Sequence, residues 1–407
     1  MLQNDSEIMQ VSSFWITRFS FVFYLAFLLL SLLGSVFIKY NSIGITTLLI
    51  YVLYVAMFLY GTTIGRTLPT IKIGMLKTSP KLLVTIIFPI SLLSIVLSWY
   101  YMITHYGSLE YIFEHAFGVR SETIGDGEQL VPVYLSYAKA FVFSGFSITL
   151  MLFHYSKRKI YIFLSLCFGV FAFLSDLMNF GRVGTLYIIF MILSYILLFV
   201  REINYRKTFF YSFLMGVILM LPKWIRSGNS FSGTHDSFQR YLKFPLPELL
   251  SPFIQIYYYY FSGLYALDEL LCSYNNTLFY GERTFAALIN LSTRIINPDG
   301  IHHRVTIIAK DAHVPFETNI YSIIGESYMD FGMLGIVFCA LFYGLNLGYF
   351  FKYKGFYADA LKLVLLAWLF YTPLYNVFSF GAYLLTFMFL LFLTVFEREI
   401  PIKDLKK

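Results

Sequence analysis

Apolar stretches of membrane length recur along almost the whole chain. Windows of about 18 or more apolar residues, enough for a helix to cross a hydrocarbon core of about 30 Å, begin near residues 15, 43, 82, 131, 160, 183, 208, 331, 359 and 381. Backbone amides in lipid need partners within their own segment, and these runs are too long and too uniformly apolar for alternating barrel strands. The pattern therefore predicts an all-α polytopic membrane protein of ten spans, one membrane domain over residues 1–407.

Polar positions collect in two places. Residues 105–130 contain one arginine, two histidines and five acids. Residues 225–320, between the seventh and eighth windows, hold four of the seven histidines together with Arg226, Arg240, Arg283, Arg294 and Arg304. Acids are interspersed among these cations, a mixture suited to a folded site rather than to a passive tether.

The insert has its own pattern. Residues 223–240 form a Ser- and Gly-rich stretch that reads as irregular loop. Residues 249–271 combine four consecutive tyrosines, Tyr257 to Tyr260, with Leu, Ile and Phe, which suits an interfacial or re-entrant helix. A full crossing there is the alternative, but it would break the alternation of all later spans. Residues 284–296 show apolar positions at helical spacing and predict a surface helix. Asn297-Pro298-Asp299-Gly300 is a turn signal. The tyrosines suit interface anchoring, with stacking on sugar faces as the functional alternative.

Composition agrees with the pattern: 58% hydrophobic residues, 20% aromatics and a mean hydropathy of +0.69 exceed what a soluble domain can hide. The net charge of +7 is explained by topology rather than by nucleic-acid binding. Seventeen Lys and Arg residues lie in connections 66–81, 157–159, 201–207 and 352–362 and in the tail 398–407. The alternate short connections offer only Lys39, Arg120 and Arg182. The excess of cations marks the cytoplasmic side, so both termini are expected in the cytoplasm and residues 225–320 outside. The first apolar run, roughly 15–38, is too long for a signal-peptide core and reads as a retained anchor. Cys167, Cys272 and Cys339 are scattered and indicate no disulfide framework or thiolate metal site.

Two motifs carry a resemblance. Residues 315–344 contain Asn319-Ile320-Tyr321 followed by Asp330-Phe331-Gly332-x-x-Gly335, and residues 179–190 place Gly181-Arg182 at the opening of a span. Together with the many-span layout and one large outer loop, this resembles the bacterial O-antigen and oligosaccharide repeat-unit polymerases of the Wzy type. Asp-Phe-Gly also occurs in protein kinases, but no Gly-rich phosphate loop, strand lysine or His-Arg-Asp catalytic loop accompanies it here.

The resemblance implies transfer of a growing glycan from its undecaprenyl-diphosphate carrier onto the next lipid-linked repeat unit, at the outer face of the cytoplasmic membrane. Partners would be undecaprenyl-diphosphate-linked oligosaccharides and membrane lipids, with a chain-length regulator and a flippase in the same process. A departing diphosphate concentrates negative charge, which the planar, permanently charged fork of arginine binds well. Arg182 is the first candidate, followed by Arg283, Arg294, Arg304 and then Arg120; pairing with headgroups or nearby acids is the structural alternative.

The acceptor hydroxyl must lose a proton as it attacks, and a histidine or carboxylate is the usual agent. His313 leads, with Glu317 and Asp311 beside it and His302 and His303 behind. Asn319, Tyr321 and Asp330 match the family element and bind substrate on that reading, or cap and anchor a helix start. No Asp-x-Asp or His-Glu-x-x-His spacing occurs, so the expected reaction uses neither metal nor cofactor. A ligase that moves finished glycan to another acceptor would need the same chemistry. A lipid-linked saccharide transporter is the other class, disfavoured because few ionisable residues lie within the windows.

Overall fold

The computed structural model describes residues 13–200, excluding 41, 76–77, 117, 120–130 and 179. It also describes residues 216–397, excluding 220, 223–224, 226–238, 246, 248–250, 274–277, 297–311, 315–316 and 319. The helices, in chain order, are α1 (Ser13–Phe37), α2 (Ile45–Thr67), α3 (Pro80–Tyr106), α4 (Leu109–Glu114), α5 (Val133–Ser156), α6 (Lys159–Leu177) and α7 (Val183–Phe199). After them come α8 (Ser251–Phe261), α9 (Gly263–Ser273) and α10 (Ala286–Ile296). Two-residue strands β1 (Ala312–His313) and β2 (Glu317–Thr318) precede α11 (Ser322–Phe351), α12 (Phe356–Tyr371) and α13 (Gly381–Phe396).

The chain is thus an all-α membrane protein. Among the described residues α1, α2, α3, α5, α6 and α11 are long and apolar enough to cross a membrane, while α7 and α13 are apolar but shorter. The window expected from residue 208 begins among residues 201–215, which lie outside the described residues. The window expected from 331 proves to start earlier, because α11 runs from Ser322 and carries Glu326 and Asp330 inside it.

Helix α12 sits at the centre of the bundle, and its residues from Leu363 to Tyr371 are all buried. A helix that is apolar all round is stable only there or in lipid. Large apolar side chains of α1, α3 and α6, such as Leu29, Leu93 and Leu166, are exposed and form the lipid-facing surface.

The tightest contact joins α2 and α11. Gly61 and Gly65 on α2 face Gly344 and Gly348 on α11, the small-residue spacing that lets helix backbones approach within a membrane. A Cβ at Gly65 would lie 2.2 Å from the Leu345 carbonyl oxygen, and one at Gly348 would lie 2.1 Å from that of Thr62.

Connections segregate to two ends. At one, Ile73 N donates to Val395 O at 2.9 Å, Tyr353 OH to Ile71 O at 2.8 Å, and the Lys72 ammonium to Lys354 O at 2.7 Å. The described basic residues of connections 66–81, 157–159 and 352–362 lie at this end. At the other, Lys39 N donates to Tyr241 O, Gly44 N to the Asp268 carboxylate, Ile323 N to Thr372 O and Ser379 Oγ to Arg283 O, all within 2.9 Å. The described parts of the insert therefore share an end with residues 38–44 and 372–380.

Among the described residues, 251–273 are helical with an interruption at Ser262, which separates α8 from α9. Each helix is about 16 Å long, roughly half a hydrocarbon core. Tyrosine hydroxyls fasten this helix pair from several sides. Tyr257 donates to Leu30 O, Tyr258 to Val314 O, Tyr260 to Phe370 O at 2.7 Å, and Tyr265 to Ser31 O at 3.1 Å. Leu30 and Ser31 lie about two turns inside the end of α1, so α8 and α9 enter the helix layer beside it.

Candidate functional site

The insert end is organised by three aspartates, each serving backbone amides of another element. Asp176, near the end of α6, accepts from Gly184 N at 3.1 Å, Thr185 N at 2.6 Å and Thr185 Oγ1 at 2.7 Å. It thereby satisfies the first turn of α7, where carboxylates are favoured by orphan amides and the helix dipole. Asp268 on α9 accepts from Gly44 N at 2.8 Å and from the Thr47 hydroxyl at the start of α2. Asp330 on α11 accepts from Arg283 N at 3.1 Å and Thr284 N at 2.6 Å, fixing the turn that leads into α10.

Asp330 is fully buried, and the motif around it is a device for holding that turn. Tyr280 N donates to Asp330 O and Phe279 N to Met329 O. Such carbonyls are left open because Gly332, at φ 62° and ψ −145°, breaks the helix immediately after the aspartate. A Cβ at Gly335 would lie 2.1 Å from Ser327 O, so the second motif glycine also answers a close approach. Tyr321 stands at the α11 N-cap and is buried.

Arg283 is 2% exposed. Its amide belongs to Asp330, its carbonyl accepts from Ser379 Oγ at 2.8 Å, and its guanidinium lies 5.8 Å from the Phe279 ring centre. It is within electrostatic reach of Glu326, one helical turn before Asp330. Glu326 accepts from Asn376 N at 2.8 Å, and the Asn376 side-chain oxygen accepts from Tyr343 OH at 2.6 Å and Phe378 N at 3.1 Å. The cluster couples α11, the 280–285 turn and the 372–380 connection. Such buried charges need partners of this kind.

Arg182 is placed differently. It is the N-cap of α7 and is half-buried. Its guanidinium carbon lies 4.8 Å from the centre of the Tyr259 ring, and among the described residues no ion pair or side-chain hydrogen bond is recorded for it. Tyr371 OH donates to Val183 O at 3.1 Å beside it. The backbone next to Arg182 is thus tied to the last residue of α12, and that of Arg283 to Ser379 in the connection that follows.

The β1–β2 ribbon pairs His313 with Glu317 and Ala312 with Thr318. It docks on α8 through the Tyr258 hydroxyl at Val314 O. Among the remaining candidates, Arg120, Arg304, Asp311 and Asn319 lie outside the described residues, as do His302 and His303. Arg294 falls in the last turn of α10. No cluster of three or more potential metal ligands occurs among the described residues.

Sequence reasoning missed Glu326, Asn376 and the particular role of Tyr259. The signal for Glu326 is its i, i+4 spacing from Asp330, which aligns two acids on one helix face. No family profile, curated protein or solved structure matches the chain.

Proposed function

We propose that this protein is a membrane glycosyltransferase that joins undecaprenyl-diphosphate-linked oligosaccharide repeats into a surface polysaccharide. It would act at the outer face of a bacterial cytoplasmic membrane, with both termini in the cytoplasm. The observation that carries this reading is the contrast between two arginines at the insert end. Arg283 is absorbed into a buried framework with Asp330 and Glu326. Arg182 keeps its fork of donors on a neutral ring at the mouth of a short helix. A diphosphate at the edge of the bilayer needs a cation of the second kind.

In the reaction an acceptor hydroxyl oxygen forms a bond to the anomeric carbon of the growing glycan while the bond from that carbon to the diphosphate oxygen breaks. The hydroxyl proton passes to a base on the ribbon, with His313 and Glu317 as candidates. The electron pair leaves with the lipid diphosphate, whose charge Arg182 stabilises. The basic connections gathered at the opposite end support the orientation.

Cells lacking the protein, complemented with wild-type or Arg182→Ala chains, test this. The wild type should restore long polymer, and Arg182→Ala should accumulate a single lipid-linked repeat at unchanged protein level. Normal chain lengths in Arg182→Ala would overturn the assignment. Long undelivered chains in the deletion strain would instead identify a ligase.

A further inference from the structure

Four consecutive tyrosines occupy positions 257–260, and their hydroxyls and rings have divided tasks. Tyr257, Tyr258 and Tyr260 donate to main-chain carbonyls of Leu30, Val314 and Phe370. These bonds fix α8 against α1, the ribbon and α12. Tyr259 presents its ring to an arginine, Arg182, at 4.8 Å.

We propose that Tyr259 is the positioning residue for Arg182, holding its guanidinium for a diphosphate without consuming the charge that binds it. The inference rests on the diphosphate reading of Arg182 given above. Its physical basis is a comparison of possible supports for an arginine. A carboxylate would hold the fork but would neutralise it and occupy its N–H edge. An aromatic face attracts the cation through the ring quadrupole and leaves the in-plane donors directed outward. Arg182 exemplifies the second arrangement. Arg283, by contrast, is buried, lies over the Phe279 ring and has the acid Glu326 within electrostatic reach.

The placement of Tyr259 is not adjustable. Its neighbours on either side are tied by hydroxyl bonds, Tyr258 to the ribbon and Tyr260 to the end of α12. Arg182 is fixed from its own side, because Asp176 holds the amides of Gly184 and Thr185 and Gly181 N donates to Asp176 O at 2.8 Å. Ring and guanidinium therefore meet between two anchored backbones. Helix α8 then has a function beyond filling space beside α1: it supplies the platform on which the phosphate-binding cation rests.

The test uses the purified full-length protein and inorganic diphosphate, with binding measured by calorimetry. Tyr259→Leu should weaken binding by about three- to tenfold, the range expected for loss of a partly desolvated cation–π contact. Tyr259→Phe, which keeps the ring, should recover most of that loss, a rescue that a role for the hydroxyl would not give. Thermal unfolding of Tyr259→Leu is followed alongside, and Tyr259→Met replaces it if the leucine variant does not fold. Equal binding by the wild type and the leucine or methionine variant would overturn the positioning role while leaving Arg182 as the ligand. A phenylalanine variant as weak as leucine would also overturn it. Failure of the wild type to bind diphosphate, or undiminished binding by Arg182→Ala, would instead remove the reading on which the proposal rests.

Discussion

The carboxylate of Asp330 accepts the backbone amide of Arg283 at 3.1 Å, and with it the amide of Thr284 at 2.6 Å. An acid inside α11 thus sets the position of a turn more than forty residues earlier in the chain. Replacing it with alanine leaves two buried amides without an acceptor, each costing about 1–3 kcal/mol. We expect Asp330→Ala to lower the unfolding temperature and to expose the 280–285 turn to protease. Asp330→Asn, which retains one carbonyl oxygen, should lie between it and the wild type. Unchanged proteolysis of Asp330→Ala would refute this role.

Asp176 does for α7 what Asp330 does for the 280–285 turn. Its oxygens serve Gly184, Thr185 and the Thr185 hydroxyl. Loss of a helix N-cap of this kind costs about 0.5–2 kcal/mol, and here the cap also orients Arg182. Asp176→Ala should therefore reduce polymer formation more than it reduces stability. A polymer assay and a thermal melt on the same variant compare the two. Full activity in a destabilised protein would show that Arg182 does not depend on the cap.

The glycines between α2 and α11 admit no side chain. Substituting alanine at Gly348 places a methyl carbon 2.1 Å from Thr62 O, backbone that cannot turn away. Overpacking of this sort costs about 1–3 kcal/mol or more. Gly348→Ala should lower the unfolding temperature clearly, and Gly348→Leu should prevent recovery of folded protein. By contrast, Gly169→Ala, where the nearest atom is 4.0 Å away, should melt as the wild type does. Equal melting of Gly348→Ala and Gly169→Ala would show that the helices are not in this contact.

The helices were legible because lipid enforces a simple rule: long apolar runs must close their own hydrogen bonds, and α1, α2, α3, α5 and α6 form where such runs occur, as does α11 on either side of its break at Gly332. The start of α11 was not legible. Glu326 and Asp330 look like loop residues to a hydropathy window, and only their distant partners, Asn376 and Arg283, make a helix acceptable there. The tyrosine run was visible but its division of labour was not, since which ring meets Arg182 depends on the register of α8 against α1 and α12. The same holds for Asp268, whose partners Gly44 and Thr47 lie more than two hundred residues away. Long-range pairing of single polar groups leaves no periodic trace in a sequence.

At the basic end Glu397 follows α13 and is 2% exposed. Its carboxylate faces the first amides of α12, Phe356 and Tyr357, and lies beside Gly355 at φ 130°. Burial pushes its pKa from 4.5 up to about 7, against the opposing pull of Lys72. A raised folded-state value means that the folded protein holds the proton more tightly than the unfolded chain does. The resulting stabilisation is complete below pH 4.5 and is lost as the pH rises through about 7. Thermal unfolding measured across that window should therefore show a component that declines with pH, and Glu397→Gln, which cannot ionise, should abolish that component. Identical pH profiles for the two proteins would assign the dependence elsewhere.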